Sequence, residues 1–132
     1  ITHGRFDKAN LRGSVWRMAR LTASSFRGAE LRDGMFNGAN LANADLREAS
    51  LLDAQFAPVP LRDPEGKPTG RDWPADLRGA NLAGADARGA NMRGARMEGA
   101  NFADGNFAAA DLRGATLDSR SAGLPELRRA RL

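Results

Sequence analysis

Cysteine and tyrosine are absent from the 132 residues, and histidine occurs once, as His3 near the start. Without cysteine there is no disulfide framework, no thiolate metal site and no thiol nucleophile. No apolar run approaches the roughly 20 residues that a membrane-crossing helix needs. The first twenty residues also lack the basic-then-apolar layout of a secretion signal, so a soluble, cytoplasmic module with no membrane partner is expected. The chain opens at Ile1 rather than Met, which suggests a processed protein or a fragment of a longer one. Glycine-rich phosphate loops ahead of a helix and carboxylates at metal-ligand spacing are lacking too. His3 has no evident partner, and a fraying terminal residue accounts for it better than a ligand or a base. The expectation is therefore a non-enzymatic chain with no catalytic residue, no cofactor and no metal.

What is present is a repeated phrase. The stretch ADLRGANLAGADARGANMRGA, Ala75 to Ala95, returns every five residues to a large apolar centre with a small residue two places before it. The centres run Phe6, Leu11, Trp16, Leu21 and onward to Leu61, then resume at Leu77 and continue to Leu132. Of 24 such phrases only two lack a large centre, Ala87 and Ala122. The position two before the centre is Ala, Gly or Ser in all but three, Val59, Arg120 and Pro125. A step of five rotates a helical residue by roughly 140° and sends a strand residue to the opposite face, so neither straight element fits. The chain must bend once per phrase, which lets the centre and the small residue share the inward side of a short extended segment.

The number of sides follows from which centres match. Every fourth one does: Leu11, Leu31 and Leu51; Leu21, Leu41 and Leu61; Trp16, Phe36 and Phe56; Phe6, Phe26 and Leu46. Four sides and twenty residues per turn result, giving an all-β coil of about six turns. If Leu77 is the next side after Leu61, then Leu82 and Phe102 continue the Leu11 column, and an insertion of 11 residues lies between the two blocks. One domain, 1–132, is expected, with repeats over 4–63 and 75–132 and a loop over about 64–74. Asp63-Pro64, Gly66, Pro68, Gly70 and Pro74 carry the turn chemistry of that loop. Arg120 occupies an inward position, and Leu124-Pro125-Glu126 reads as a helix start, so the last coil is expected to be a cap or a truncated turn.

These phrases resemble the pentapeptide-repeat proteins, whose A(D/N)LXX unit is matched here by ADLRG, ANLAG, ANMRG and ANFAD. The resemblance covers nearly the whole chain and implies a right-handed quadrilateral β-helix. It does not fix an activity, since a repeat architecture hosts many.

Surface residues are the remaining source of function. Assigned to sides, Arg20, Arg62, Arg93 and Arg113 form a candidate basic wall. Val15, Met18, Met35 and Pro58 form an apolar strip on the aromatic-column side, a candidate protein contact. Trp73 either folds back as a lid on the wall or presents a contact to a partner. The reading these residues support is a binding or scaffold module offering flat walls and one loop to a protein partner, with self-association through an end coil as a further option. The alternative, implied by the best-known branch of the resembling proteins, is a DNA mimic that binds DNA gyrase or topoisomerase and protects it from quinolones and other poisons. A net charge of +4 opposes that alternative, because a mimic must enter a DNA-binding saddle. Direct nucleic-acid binding ranks lower, since the aromatic residues are mostly buried centres and stacking platforms are missing.

Overall fold

The computed structural model describes all residues, 1–132. The phrase Asp76–Ala80 shows how five residues make one side and one corner. Asp76 N–H bonds the coil before it at Ala39 C=O (2.9 Å), and Leu77 N–H bonds the coil after it at Arg96 C=O (2.7 Å). Gly79 N–H reaches Glu98 C=O (2.9 Å), while Ala80 N–H closes the corner on Leu77 C=O (3.0 Å). Only the Arg78 N–H is left over, and the Asp76 carboxylate accepts it at 3.1 Å. The Asp or Asn of the repeat is thus a backbone acceptor, and the same bond recurs at Asn40, Asn81, Asn91, Asn101 and Asn106. A short side-chain oxygen at that place supplies the acceptor that the corner's backbone does not, although phrases with Val15, Arg20, Met35 or Arg96 there do without it.

Parallel bridges stack the coils at intervals of twenty, Arg5 on Ser25 on Asp45, Asn10 on Glu30 on Ser50, Val15 on Met35 on Gln55, and Arg20 on Asn40. We number the four faces after their first centres: face 1 (Phe6), face 2 (Leu11), face 3 (Trp16) and face 4 (Leu21). Their inward residues form one core of 29 buried side chains running through both blocks. The aromatic columns stack as the spacing predicts, Trp16 over Phe36 at 6.3 Å, Phe36 over Phe56 at 5.0 Å, and Phe6 over Phe26 at 4.9 Å. Adjacent columns meet edge-on, as Phe26 and Phe36 do at 89°.

The second block departs from its expected place by one face. Asn40 bridges Asp76, a step of 36 rather than 20, so the excursion holds 36 − 20 = 16 residues. Leu77 stacks on Leu41, and Leu61 is not a wall residue at all. Consequently Leu82 and Phe102 continue the Phe6–Phe26–Leu46 column, not the Leu11 column, and Ala87 and Phe107 lie above Leu51. The insertion is also not confined to 64–74. It is a hairpin of β1 (Val59–Arg62) paired antiparallel with β2 (Pro68–Trp73), rooted where Val59 faces Trp73.

Two prolines explain why the wall stops there. The second residue after each centre from Phe6 to Leu51 and from Leu77 to Leu112 sits at positive φ, and ten non-glycine residues from His3 to Ala109 accept φ of 56–60° for this kind of corner. Pro58 occupies that place, and its ring holds φ near −65°, so the corner cannot form. Pro60 then falls where a wall residue must donate its N–H, and it has none. The chain leaves after Pro58 and rejoins at Ala75.

At the far end the array slips by one residue, with Asn101 bridging Ala122. Ser121 thereby takes the inward small position, its hydroxyl donating to Met97 C=O at 3.2 Å. Arg120, expected inward, instead turns to solvent and pairs with Asp118 at 2.7 Å. A 3-10 helix, Leu124–Arg129, follows with Leu127 buried. No helix is long and apolar enough to cross a membrane.

Candidate functional site

The hairpin root and the corner below it form the most irregular part of the surface. Gly38, the corner between faces 3 and 4, is overlaid from three directions. A Cβ at Gly38 would lie 2.5 Å from the Met18 sulfur, 3.0 Å from Val59 Cγ2 and 3.2 Å from Trp73 Cδ1. Gly38 also has a φ of 68°, so both space and conformation call for glycine. Trp73 rests on this corner with one side and leaves 51% of its surface exposed. Trp73 thus covers a wall edge with one side and leaves the other side exposed. On face 3, Val15 and Met18 are 64% and 46% exposed, and Met35 and Pro58 lie half-buried in the same apolar strip.

Of the predicted contact residues, Met18 and Trp73 converge on Gly38, while Val15, Met35 and Pro58 line the adjoining wall. Val59, which joins them through the hairpin, was hidden by its assignment as a repeat position. Its bulk at a place otherwise small was the available signal. The predicted basic wall does not exist as one surface. Arg20 lies on face 4, Arg62 in β1 donates to the Gly66 carbonyl across the hairpin loop, and Arg93 and Arg113 lie on face 3. The one-face shift of the second block separates them. Face 3 carries Val15, Met18, Met35 and Pro58 beside Arg17, Asn37 and Gln55 over its first three coils, and is arginine-bearing above them, where Arg93 and Arg113 line a hollow beside Pro58.

Part of the wall charge is spent locally, in five of the 16 acids and five of the 20 bases. Asp45, Asp76, Asp86, Asp111 and Asp118 each pair with the arginine two residues on, at 2.6–2.7 Å. The guanidinium of Arg47 bonded to Asp45 holds that carboxyl below the usual carboxylate range, and the same cause acts at Asp86 and Asp111. At Asp76 burial pushes the carboxyl up, but the Arg78 side chain and amide more than offset it. These five carboxylates already accept a backbone N–H and an arginine, so none is free to act as a base. No group of three or more His, Asp or Glu side chains could hold a metal ion.

Two hollows flank Trp73 on face 4. One of about 520 Å³ includes Arg20, Asn40 and Trp73, and the other, about 180 Å³, includes Asn40, Trp73, Asp76 and Arg96. Gly38 floors both.

The profile of Pentapeptide repeats matches this sequence in eight copies, over residues 5–41, 24–57 and 75–114. The chain belongs to that family. Among solved structures, a pentapeptide repeat protein of Nostoc PCC 7120 is 27% identical, with 89% of this chain and 83% of that one covered and a TM-score of 0.60. A pentapeptide repeat protein from the thylakoid lumen of Arabidopsis thaliana is 26% identical over 89% of this chain and 68% of that one, with a TM-score of 0.58. QnrB1, a plasmid-mediated fluoroquinolone resistance protein, is 19% identical over 87% and 65% at a TM-score of 0.33, a likeness that bears on no function here. No curated protein matches. The gaps in the profile match, 58–74 and the last coil, coincide with the hairpin and the 3-10 helix, the two places where the repeat is broken.

Proposed function

We propose that this pentapeptide-repeat protein is a non-enzymatic binding module that engages a protein partner through the hairpin root and the apolar half of face 3. The observation that carries this reading is the convergence of Met18, Val59 and Trp73 on Gly38, with Met18 and Trp73 left exposed there and Val15 exposed on the adjoining wall. An exposed aromatic held on a rigid platform loses little entropy on binding, which is the usual makeup of an interaction anchor. The filled prism offers no enclosed pocket lined by convergent titratable groups, so binding suits it better than catalysis. The gyrase-mimic reading gains little from the surface, because five of its 16 acids are bonded to neighbouring arginines and the net charge is +4.

The test is an affinity capture followed by identification, run in parallel with the parent protein, Trp73→Ala and the double variant Val15→Ser, Met18→Ser. Partners retained by the parent and lost by both variants support the reading. A partner set unaffected by either variant places the interface elsewhere and overturns it.

A further inference from the structure

Resting on the binding-module reading, the arrangement around Trp73 also narrows the partner's chemistry. Arg20, Asn40, Asp76 and Arg96 stack in one bridge row on face 4. Arg20 and Arg96 are three coil steps apart, about 14 Å at the ~4.8 Å spacing of neighbouring strands. Both are exposed, and neither has a carboxylate partner among the ion pairs. The one acid between them, Asp76, is already bonded twice by Arg78, at 2.9 and 2.6 Å. Trp73 borders both hollows of this row, so an apolar surface stands between two free cations.

We infer that this row binds an extended acidic segment of a partner protein, with two carboxylates four residues apart and an apolar side chain midway. In an extended chain residues i, i+2 and i+4 point to one face, and i to i+4 spans about 13 Å. That matches the Arg20–Arg96 separation with the middle residue placed on Trp73. A segment of the form Glu-x-Leu-x-Glu satisfies all three contacts, and a strand lying along the rod needs no change in the walls. Arginine suits the role because its fork holds a carboxylate through two N–H groups.

The test uses the whole chain and a fluorescein-labelled peptide, Ser-Glu-Thr-Leu-Thr-Glu-Ser, read by anisotropy at low and near-physiological salt. Saturable binding below about 1 mM is expected, weakened about 30-fold by Trp73→Ala and about threefold by Arg20→Gln or Arg96→Gln. The arginine variants should also flatten the salt dependence. A peptide with the second Glu moved one position, onto the opposite face, should bind several-fold more weakly, and the Lys-for-Glu peptide not at all. No binding at 1 mM, equal binding of the shifted peptide, or tighter binding of a single-stranded oligonucleotide each overturns the inference. If the peptide fails while capture still depends on Trp73, the acidic-segment assignment is lost and the binding-module reading stands. Circular dichroism and melting of each variant, all at exposed positions, establish that the fold is retained.

Discussion

Removing the hairpin tests the account of why the wall is interrupted. The excursion Val59 to Pro74 can be deleted so that residue 58 joins Ala75, provided Pro58 is replaced by Gly, because position 58 must then adopt positive φ. Two terms nearly cancel. Trp73 is about half covered, and a tryptophan that buries about 200 Å² when fully enclosed gives up roughly 100 Å², or ~2.5 kcal/mol at ~25 cal/mol per Å². Against that, closing a 16-residue excursion costs about 1.5 RT ln 16, again ~2.5 kcal/mol, which the deletion recovers. The shortened protein should lie within about 1 kcal/mol of its parent in urea unfolding. A smaller deletion, residues 64 to 74 with Asp63 joined to Ala75, should be worse although it removes less. If its leftover five residues bulge out, the Trp73 contact is lost while only about 1 kcal/mol of closure entropy returns. If they enter the wall, Pro60 replaces the donor that Asp76 supplies to the buried Ala39 carbonyl, at about 1–3 kcal/mol. Val59 is then forced into a corner site meant for a small residue. A smaller deletion as stable as the larger one, measured by urea midpoint at equal slope, refutes the proline argument.

Other consequences are quicker to check. Leu31→Arg places an unpaired charge in a fully buried column and should cost several kcal/mol, on the order of 3–5, whereas Leu61→Arg, in the hairpin, should shift the urea midpoint by less than about 1 kcal/mol; equal effects would restore Leu61 to the wall. Gly38→Ala should displace Trp73, since the new methyl meets Met18 and Trp73 at 2.5 and 3.2 Å, and a tryptophan emission maximum unchanged in a Trp16→Phe background would contradict that contact. Because the paired aspartates titrate below their ordinary range, their stabilisation is complete above about pH 4 and is lost as pH falls through the lowered values. Melting temperature should be flat from pH 7 to 5 and drop below 4. Asp76→Asn, which keeps the acceptor for the Arg78 N–H, should lessen that drop, and an unaltered acid profile would show that these pairs do not matter.

The repeat made most of the fold legible because its period and its small-residue positions are incompatible with anything but a bend every five residues. Column identities in the first block followed from residue type alone, since Trp16, Phe36 and Phe56 must be stacked if the coil has four sides. The second block was misplaced by one face because spacing treats Leu61 as a centre like any other, and counting centres cannot detect a missing backbone donor. The contrary signals were Pro58 at a positive-φ place, Pro60 at a donor place and Val59 at a small-residue place. Each is an ordinary residue in itself. Only a register in which every N–H is accounted for turns them into a stop signal, and that register comes from the hydrogen bonds.

The candidate site was legible to a lesser degree for the same reason. Met18 and Trp73 were identifiable as exposed apolar residues, but their meeting at Gly38 depends on how the hairpin folds back, and no spacing encodes that. Charge reading failed more fully. Counting Arg and Asp per wall assumes that each is available to a partner, whereas the Asp-x-Arg phrase brings the two together across a single centre, as at Asp111 and Arg113, 2.6 Å apart. The acid accepts the leftover backbone N–H, as Asn does in other phrases, and the arginine offsets the charge that an acid in this role places on the wall. The arginines without a phrase-mate include Arg20 and Arg96, the two on which the proposed acidic-segment site rests, where no aspartate stands two places before. On the binding-module reading proposed above, a repeat wall of this kind meets its partner at positions where the repeat's own pairing lapses.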